Sequence, residues 1–264
     1  MKFTVISAFP QMIEQALQWG VVGRAREKNI FTCAVINPRD FTSDVHKTID
    51  DRPFGGGDGM VMLYEPLHKA LEANSEIKTS RKIYLSPAGK KLDEAMVCAL
   101  SEIPHVTLLC GRYGGVDQRL LNDYGFENVS VGDYVVSGGE LPALTLMDAV
   151  VRKLPGVLGN QSSAQEDSFA KGAFFEAPLY TRPSENGAGK VPAVLLSGDH
   201  KKIVEFRFFV GQGLTLQARP ETRSMIDVLK LRTFLKKIAP EELKVLGFEN
   251  EFLLNELGVS LGEN

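Results

Sequence analysis

Two charged side chains have types and positions that suit acid–base chemistry. Asp167 lies in the polar stretch QEDSF, and a carboxylate can accept a proton during a reaction. Arg152 lies in a helical run that ends at Leu154 and Pro155, and a guanidinium can stabilise negative charge on a substrate. Asp167 could instead cap a short helix beginning at Ser168, and Arg152 could be a cation that favours the dipole of a helix C-terminus. Residue type and position therefore leave both interpretations open.

Four glycine-rich segments are the other candidates for a functional site. They are DDRPFGGGDGM at 50–60, YLSPAG at 84–89, CGRYGG at 110–115 and VGDYVVSGGELP at 131–142. Glycine lets a backbone adopt positive φ or approach a ligand closely, although any one such loop could be an ordinary turn. Because ligands of open α/β sheets bind beyond the carboxyl ends of strands, three loops at three strand ends predict one pocket. Its exposed N–H and C=O groups would suit an adenine edge and a ribose.

Alternating strands and helices are predicted to position these loops. Short strands are expected at 3–6, 31–36, 83–85 and 106–110, with an extended segment at 129–136. Helices are expected from Pro10 and at 92–100, 116–121 and 141–154. This pattern predicts the α/β class, with a mostly parallel sheet covered by helices on both faces.

The alternation of strands and helices stops near residue 159, which predicts a second domain. Residues 159–172 are polar and typical of a linker or mobile loop, and a second polar patch spans 184–190. Mainly helical periodicity follows after Val191. We therefore expect a first domain at 1–158, a linker at 159–172 and a helical domain at 173–264.

Composition and charge narrow the classes of function. The chain has 264 residues, 44% of them hydrophobic, and a net charge of −3, which excludes a disordered chain. Residues 171–240 carry +6, whereas residues 1–170 carry −4 and residues 241–264 carry −5. This asymmetry suits a polyanionic partner, although a solvated helical surface explains it equally well.

Several other classes of protein are not expected. No apolar run reaches 18 residues, and the N-terminus lacks the pattern of a signal peptide. The four histidines are dispersed, so no zinc cluster is predicted. Cys33, Cys98 and Cys110 are too scattered for a disulfide framework, and their apolar neighbours predict buried thiols in a reducing cytoplasm.

Eight segments, taken together and in this order, resemble the TrmD family of bacterial tRNA (guanine-37-N1)-methyltransferases, within the SPOUT superfamily. They are DDRPFGGGDGM, YLSPAG, CGRYGGVDQR, VGDYVVSGGELPA, PGVLG, EDSF, YTRP and VLLSGDH. The resemblance extends to about residue 235, and the acidic tail beyond it looks variable. Eight segments in register are far more specific than any single loop.

The resemblance implies a fold, a cofactor and partners. It implies an α/β SPOUT-type domain with a mostly parallel sheet and a C-terminal trefoil knot, followed by a small helical domain that grips tRNA. The knot would bind S-adenosylmethionine, and the product would be 1-methylguanosine next to the anticodon. The resemblance also implies a cytoplasmic homodimer whose active sites are each built from both subunits.

Site residues carry over from the family position by position. The methyl donor would be held, mainly by backbone groups, by Tyr84, Leu85, Ser86 and Pro87, by Gly111, Arg112, Tyr113 and Gly115, and by Val131, Gly132, Asp133, Tyr134, Val135, Val136, Gly138, Gly139 and Pro142. The target guanine or its tRNA would be contacted by Asp51, Arg52, Gly55, Gly56, Gly59, Met60 and Ser163. Asp167 falls on the family's proposed general base and Arg152 on its catalytic arginine.

One position departs from the family pattern. The family usually has a glutamate after GRY, and that glutamate has been linked to magnesium dependence, but this chain has Gly114 there. Either the requirement for Mg²⁺ is lost, or Glu140 or Asp133 substitutes.

Two alternatives from other classes remain open. A non-catalytic tRNA-binding protein of the same fold would agree with the loss of that glutamate, but Asp167 and Arg152 argue against it. The other is a SPOUT methyltransferase acting on ribosomal RNA or on a ribose hydroxyl. A 2′-hydroxyl target would not need the segment at 50–60, which is present.

Overall fold

The chain divides into two compact units, 1–161 and 162–264. The structure is a computed structural model, and it describes residues 1–159, 167–170, 172–250, 254–255 and 257–259.

A five-stranded parallel sheet forms the centre of the first unit. Its strands are β1 (Lys2–Ile6), β2 (Thr32–Ile36), β5 (Arg81–Lys91), β6 (His105–Leu109) and β7 (Glu127–Ser130). They lie in the order β2-β1-β6-β5-β7, and every pairing is parallel. A separate antiparallel ribbon pairs β3 (Asp50–Asp51) with β4 (Val61–Met62). The predicted α/β class with a mostly parallel sheet is confirmed.

Helices cover both faces of this sheet. They are α1 (Pro10–Ala16), α2 (Gly20–Glu27), α3 (Tyr64–Glu72), α4 (Glu94–Ser101), α5 (Gln118–Tyr124) and α6 (Glu140–Val151), with short 3₁₀ turns at Pro38–Phe41 and Ser75–Thr79. Val5 and Leu108 join one buried cluster, whereas the next residues, Ile6 and Leu109, join another. Since successive strand residues face opposite sides of a sheet, each face has its own core.

Element boundaries differ from the sequence prediction where side chains cap helices. Asp93 accepts a hydrogen bond from Met96 N at 2.8 Å, so α4 begins after it and not at residue 92. Asp117 accepts one from Arg119 N at 2.9 Å, so α5 begins at residue 118 and not at 116. These caps satisfy N–H groups that have no partner inside the helix.

The second unit is rich in helices, as expected. It contains a hairpin of β8 (Glu185–Asn186) and β9 (Gly189–Lys190), then α7 (Ala193–Leu196), α8 (His200–Ala218), a 3₁₀ turn at Pro220–Met225, α9 (Val228–Leu235) and α10 (Pro240–Val245). The hairpin lies inside the polar patch at 184–190. Val210, Leu231 and Leu243 lie in the buried cluster of this unit. None of the helices in the described ranges is long and apolar enough to cross a membrane.

The expectation of three buried thiols is wrong for one cysteine. Cys110 is buried and Cys33 is half-buried, but Cys98 is exposed. Its neighbours Val97 and Leu100 occupy the buried side of α4, which leaves Cys98 on the solvent side. The apolar residues around Cys98 indicate that α4 has a buried side, but they do not place Cys98 on that side.

Candidate active site

The segment Ser86–Gly89 leaves strand β5 as a bulge. Leu85 and Lys90 both pair with the same residue of β7, Val129, so the four residues between them project from the sheet. A Cβ on Gly89 would lie 2.4 Å from the backbone of Asn128 and Val129, which only glycine avoids. The YLSPAG loop is therefore locked against β7.

The loop after β6 is tied by its backbone to the start of α6. Gly139 N donates to Gly111 O at 2.9 Å, and Arg112 forms an isolated antiparallel bridge with Gly138. A Cβ on Gly139 would lie 2.6 Å from the Cα of Cys110. The absence of a side chain there permits this approach.

Tyr84 connects the first two loops. A Cβ on Gly111 would lie 2.7 Å from its hydroxyl oxygen, and one on Gly115 would lie 3.2 Å from it. Tyr84 is buried, and burial raises the pKa of its phenol above the ordinary value. The structure therefore brings together the loops at 84–89, 110–115 and 137–142.

Residues 131–136 are irregular, although an extended strand was expected there. Strand β7 ends at Ser130, whose hydroxyl donates to Gly132 O at 3.0 Å and accepts from Gly132 N at 3.1 Å. This local turn ends the strand. The side chains of Tyr134, Val135 and Val136 that follow are exposed.

Arg112 and Glu140 form an ion pair beneath these loops. Arg112 Nε lies 2.9 Å from Glu140 Oε2, but its N–H is not aligned for a hydrogen bond. The other carboxylate oxygen of Glu140 accepts from Ser7 Oγ at 2.7 Å, and Arg112 Nη1 donates to Ser137 O at 3.1 Å. The Arg112 guanidinium also lies 4.4 Å from the centre of the Phe9 ring. This network joins the ends of β1 and β6 to the start of α6.

The ribbon loop 52–60 is exposed and rich in positive φ. Gly55, Gly56, Gly57 and Gly59 have φ between 80° and 110°, a region that other residues rarely adopt. At the base of the loop, Met60 O accepts from Gly114 N at 2.7 Å. This hydrogen bond ties the ribbon to the loop after β6.

Arg152 lies at the far end of α6 from these loops. Its backbone N–H donates to Asp148 O, and it caps the helix whose first residue is Glu140. Since an α-helix rises about 1.5 Å per residue, the backbones of Glu140 and Arg152 lie about 18 Å apart. Arg152 is therefore well separated from the Gly138–Gly139 loop of its own chain.

Comparison with known proteins identifies the family. The model of the tRNA (guanine-1)-methyltransferase TrmD family matches residues 1–224. The chain belongs to the TrmD family. A protein of Aromatoleum aromaticum named tRNA (guanine-N(1)-)-methyltransferase is 47% identical over 98% of this chain and 95% of its own length. Proteins of the same name from Pasteurella multocida and Neisseria meningitidis are 48% and 46% identical, over 90% and 93% of this chain and 98% and 99% of their own lengths.

Sequence analysis missed two members of this network in the TrmD-family chain. Ser7 lies in an ordinary apolar strand context, and no motif marked it. Glu140 was considered only as a possible magnesium ligand, although it precedes a helical run directly after two glycines. A carboxylate at the start of a helix of mostly apolar residues could have indicated a buried ion pair.

The family's magnesium site does not fit the residues seen here. The Glu140 carboxylate forms an ion pair with Arg112 and accepts a hydrogen bond from Ser7. Asp133 Oδ2 lies 2.6 Å from Lys91 Nζ. In the part of the chain that the structure describes, no three His, Cys, Asp or Glu side chains are grouped to hold a metal ion. The described residues therefore offer no magnesium site in place of the missing glutamate.

In the second unit of this TrmD-family chain, Asp167 begins a turn. Ala170 N donates to Asp167 O at 3.1 Å, and Asp167 is half-buried. Ser163 lies outside the described residues.

An open groove of about 360 Å³ in the same unit is lined by Leu179, Leu196, Arg182 and Arg207, among others. The groove therefore places two arginines beside apolar side chains.

Proposed function

We propose that this chain transfers a methyl group from S-adenosylmethionine to N1 of guanosine 37 in tRNA. The observation that carries the proposal is membership of the TrmD family over residues 1–224. The meeting of three glycine-rich loops, one at the bulge of β5 and two beyond the ends of β6 and β7, supports it, because loops at one edge of an open α/β sheet bind ligands.

The three loops are the proposed binding site for the donor. They comprise Tyr84–Pro87, Gly111–Gly115 without Gly114, and Val131–Pro142 without Ser137, Glu140 and Leu141. Their backbone groups can hydrogen-bond an adenine edge, and the exposed Tyr113, Tyr134 and Val135 offer apolar surface to it. S-adenosylmethionine supplies, when bound, a methyl group on a positively charged sulfur.

Asp167 is the proposed general base and Arg152 the proposed charge stabiliser. Guanine N1 carries a proton at neutral pH, so the Asp167 carboxylate removes it while the N1 electron pair forms the new bond to carbon. The carbon–sulfur bond breaks and its electrons remain on sulfur. Negative charge develops on guanine O6, where the Arg152 guanidinium stabilises it.

The ribbon loop and the second unit are the proposed contacts for tRNA. Asp51, Arg52, Gly55, Gly56, Gly59, Met60 and Ser163 are proposed to lie near the target guanine. The helical domain, which we assign to residues 173–264, would bind tRNA phosphates through its basic part up to residue 240, with 159–172 as a linker after the donor domain 1–158. The trefoil knot and a cytoplasmic location stay predictions from the family.

A homodimer is proposed because of where Arg152 lies. About 18 Å of α6 separates it from the donor loop at 138–139 of its own chain. A second copy could supply an arginine to that loop. Light scattering of the purified protein tests this proposal, and a monomer at micromolar concentration would contradict it.

Methylation of unmodified tRNA tests the proposed activity directly. The protein is incubated with S-adenosylmethionine and a tRNA transcript carrying G37, and the nucleosides are identified by mass spectrometry. We expect 1-methylguanosine with this transcript and none with a matched transcript carrying A37. A methylated ribose, another modified base, or no product would contradict the proposal.

The Asp167→Asn variant tests the proposed base. Asparagine keeps the size of the side chain but cannot take the proton, so we expect donor binding to be retained and turnover to fall about 100-fold or more. Calorimetry with S-adenosylmethionine measures the first and a single-turnover assay the second. Near-wild-type turnover would remove Asp167 from this role.

A further inference from the structure

The turn that carries Asp167 is part of a small structured segment. Ala170 N donates to Asp167 O at 3.1 Å and closes the turn. Phe169 N then donates to Phe174 O at 2.8 Å, and Glu176 N donates to Ser168 Oγ at 3.0 Å. The Asp167 turn and the extended residues 174–176 are therefore held together by backbone and side-chain hydrogen bonds.

Arg219, which directly follows α8, holds this segment through two aromatic rings. Its guanidinium carbon lies 4.9 Å from the centre of the Phe169 ring and 5.0 Å from that of Phe175. The two rings meet edge to face, with centres 5.7 Å apart. A planar guanidinium can contact both rings at once, which an ammonium group does less well.

Helix α8 contacts the same segment through the Thr215 side chain and at Gly211. Phe175 N donates to Thr215 Oγ1 at 2.8 Å, and Thr215 in turn donates to Gly211 O. A Cβ on Gly211 would lie 2.3 Å from Phe175 O, so glycine permits the close approach. The segment is thus attached to one side of α8 at Gly211 and Thr215, and to Arg219 directly after the helix.

Phe169 shows that this attachment constrains the backbone beside Asp167. Its φ is +71°, in the left-handed region that a phenylalanine rarely adopts. Such a conformation persists only where the surroundings hold it. Here the Arg219 and Phe175 contacts hold the ring, two residues from Asp167.

We propose that Arg219 is a positioning residue for Asp167. By holding Phe169 and Phe175 against α8, it keeps the candidate base at a fixed place on the unit that would grip tRNA. This inference rests on the role of Asp167 in the proposed function.

The Arg219→Gln variant tests the inference in single-turnover methylation with saturating tRNA and donor. Loss of two contacts with aromatic rings predicts a rate about tenfold lower, with the Kd for tRNA and for donor within twofold of wild type. Arg219→Lys should recover part of the rate because it keeps the charge. A wild-type rate would overturn the inference, since Arg219 would then have no role in the reaction. A rate restored to wild type by saturating tRNA would also overturn it, since Arg219 would then be a phosphate contact.

A double variant distinguishes positioning from an independent effect. If Arg219 acts through Asp167, adding Arg219→Gln to Asp167→Asn should slow the reaction no further. Additive losses would overturn the inference. Phe169→Leu provides a second route to the same contact if Arg219→Gln does not fold, and its rate should fall similarly.

Two controls separate this inference from the proposed function. Arg24→Gln removes one exposed cation from α2 of the first unit, outside the proposed donor and tRNA contacts, and should keep the wild-type rate. A wild-type protein that forms no 1-methylguanosine would refute the proposed function and the inference together. An active wild type with an unaffected Arg219→Gln variant would refute the inference alone.

Discussion

The carboxylate of Glu140, the first residue of α6, lies 2.9 Å from the Nε of Arg112 in the loop after β6. Glu140 is buried, and its second oxygen is satisfied by Ser7. Buried charges are costly unless they are paired, so each partner depends on the other. The pair therefore fixes the geometry of two loops that we assign to the donor.

Glu140→Gln should destabilise the first unit by about 3 kcal/mol, because it leaves the Arg112 charge poorly compensated in a buried site. Urea unfolding followed by circular dichroism measures the loss. Asp133→Asn is the matched control, since the Lys91–Asp133 pair is exposed and its loss should leave stability unchanged. Equal midpoints for wild type and Glu140→Gln would contradict this interpretation.

Gly89→Ala should disturb the bulge in β5. A methyl group 2.4 Å from the backbone of β7 cannot be accommodated without opening the loop, at a cost of about 1–3 kcal/mol. We expect a lower melting temperature and, by calorimetry, donor affinity reduced about tenfold or more. Gly159→Ala, where a Cβ meets nothing within 4 Å, should change neither quantity. An unchanged donor affinity for Gly89→Ala would remove this loop from the donor site.

Arg207→Gln should weaken tRNA binding and make it less sensitive to salt. Arg207 is an exposed residue of α8 that lines the groove and lies in the basic segment 171–240. Loss of one phosphate contact should reduce the slope of log Kd against log salt concentration by about 0.7–0.9. Filter binding between 50 and 200 mM salt measures it. Arg24→Gln, exposed on α2 of the first unit, is the control and should keep the wild-type slope.

His105 should make the stability of the first unit depend on pH. Its Nε2 lies 2.9 Å from Thr4 Oγ1, and burial, assisted by the charge of Lys2, lowers its pKa below the ordinary 6.5. The unfolded chain therefore binds a proton more readily than the folded one, so this contribution is complete above about pH 6.5 and is lost as the pH falls below it. Urea unfolding between pH 8 and 5 should show a flatter dependence for His105→Gln than for wild type. The exposed His46→Gln should keep the wild-type slope.

The sheet could be predicted because its strands are short apolar runs that alternate with helical runs. Residues 3–6, 31–36 and 106–110 were expected as strands, and each lies within a residue or so of an observed one. The order β2-β1-β6-β5-β7 could not be predicted, because apolar periodicity does not say which strands are neighbours. The same limit applies to the ribbon of β3 and β4, whose strands have two residues each.

The contacts that stabilise the candidate site were harder to predict than its loops. Glycines marked the loops at 84–89 and 110–115, but nothing local marks Ser7 as the partner of Glu140, since 133 residues separate them. Likewise, Arg219 contacts Phe169 across 50 positions of sequence. Such long-range pairs form only in the folded chain and leave no local pattern in the sequence. A glycine acts on its own backbone, so its effect can be predicted from the sequence at that position.

Because of the bulge in β5, the length of the loop at 86–89 does not affect how β5 pairs with β7. The chain leaves the sheet after Leu85 and returns at Lys90 opposite the same residue, Val129. A residue inserted into or deleted from 86–88 would therefore alter the excursion while α4 and the rest of the sheet keep their places. This part of the molecule can diverge in size between relatives, or be redesigned for a different nucleoside, without cost to the scaffold that carries it.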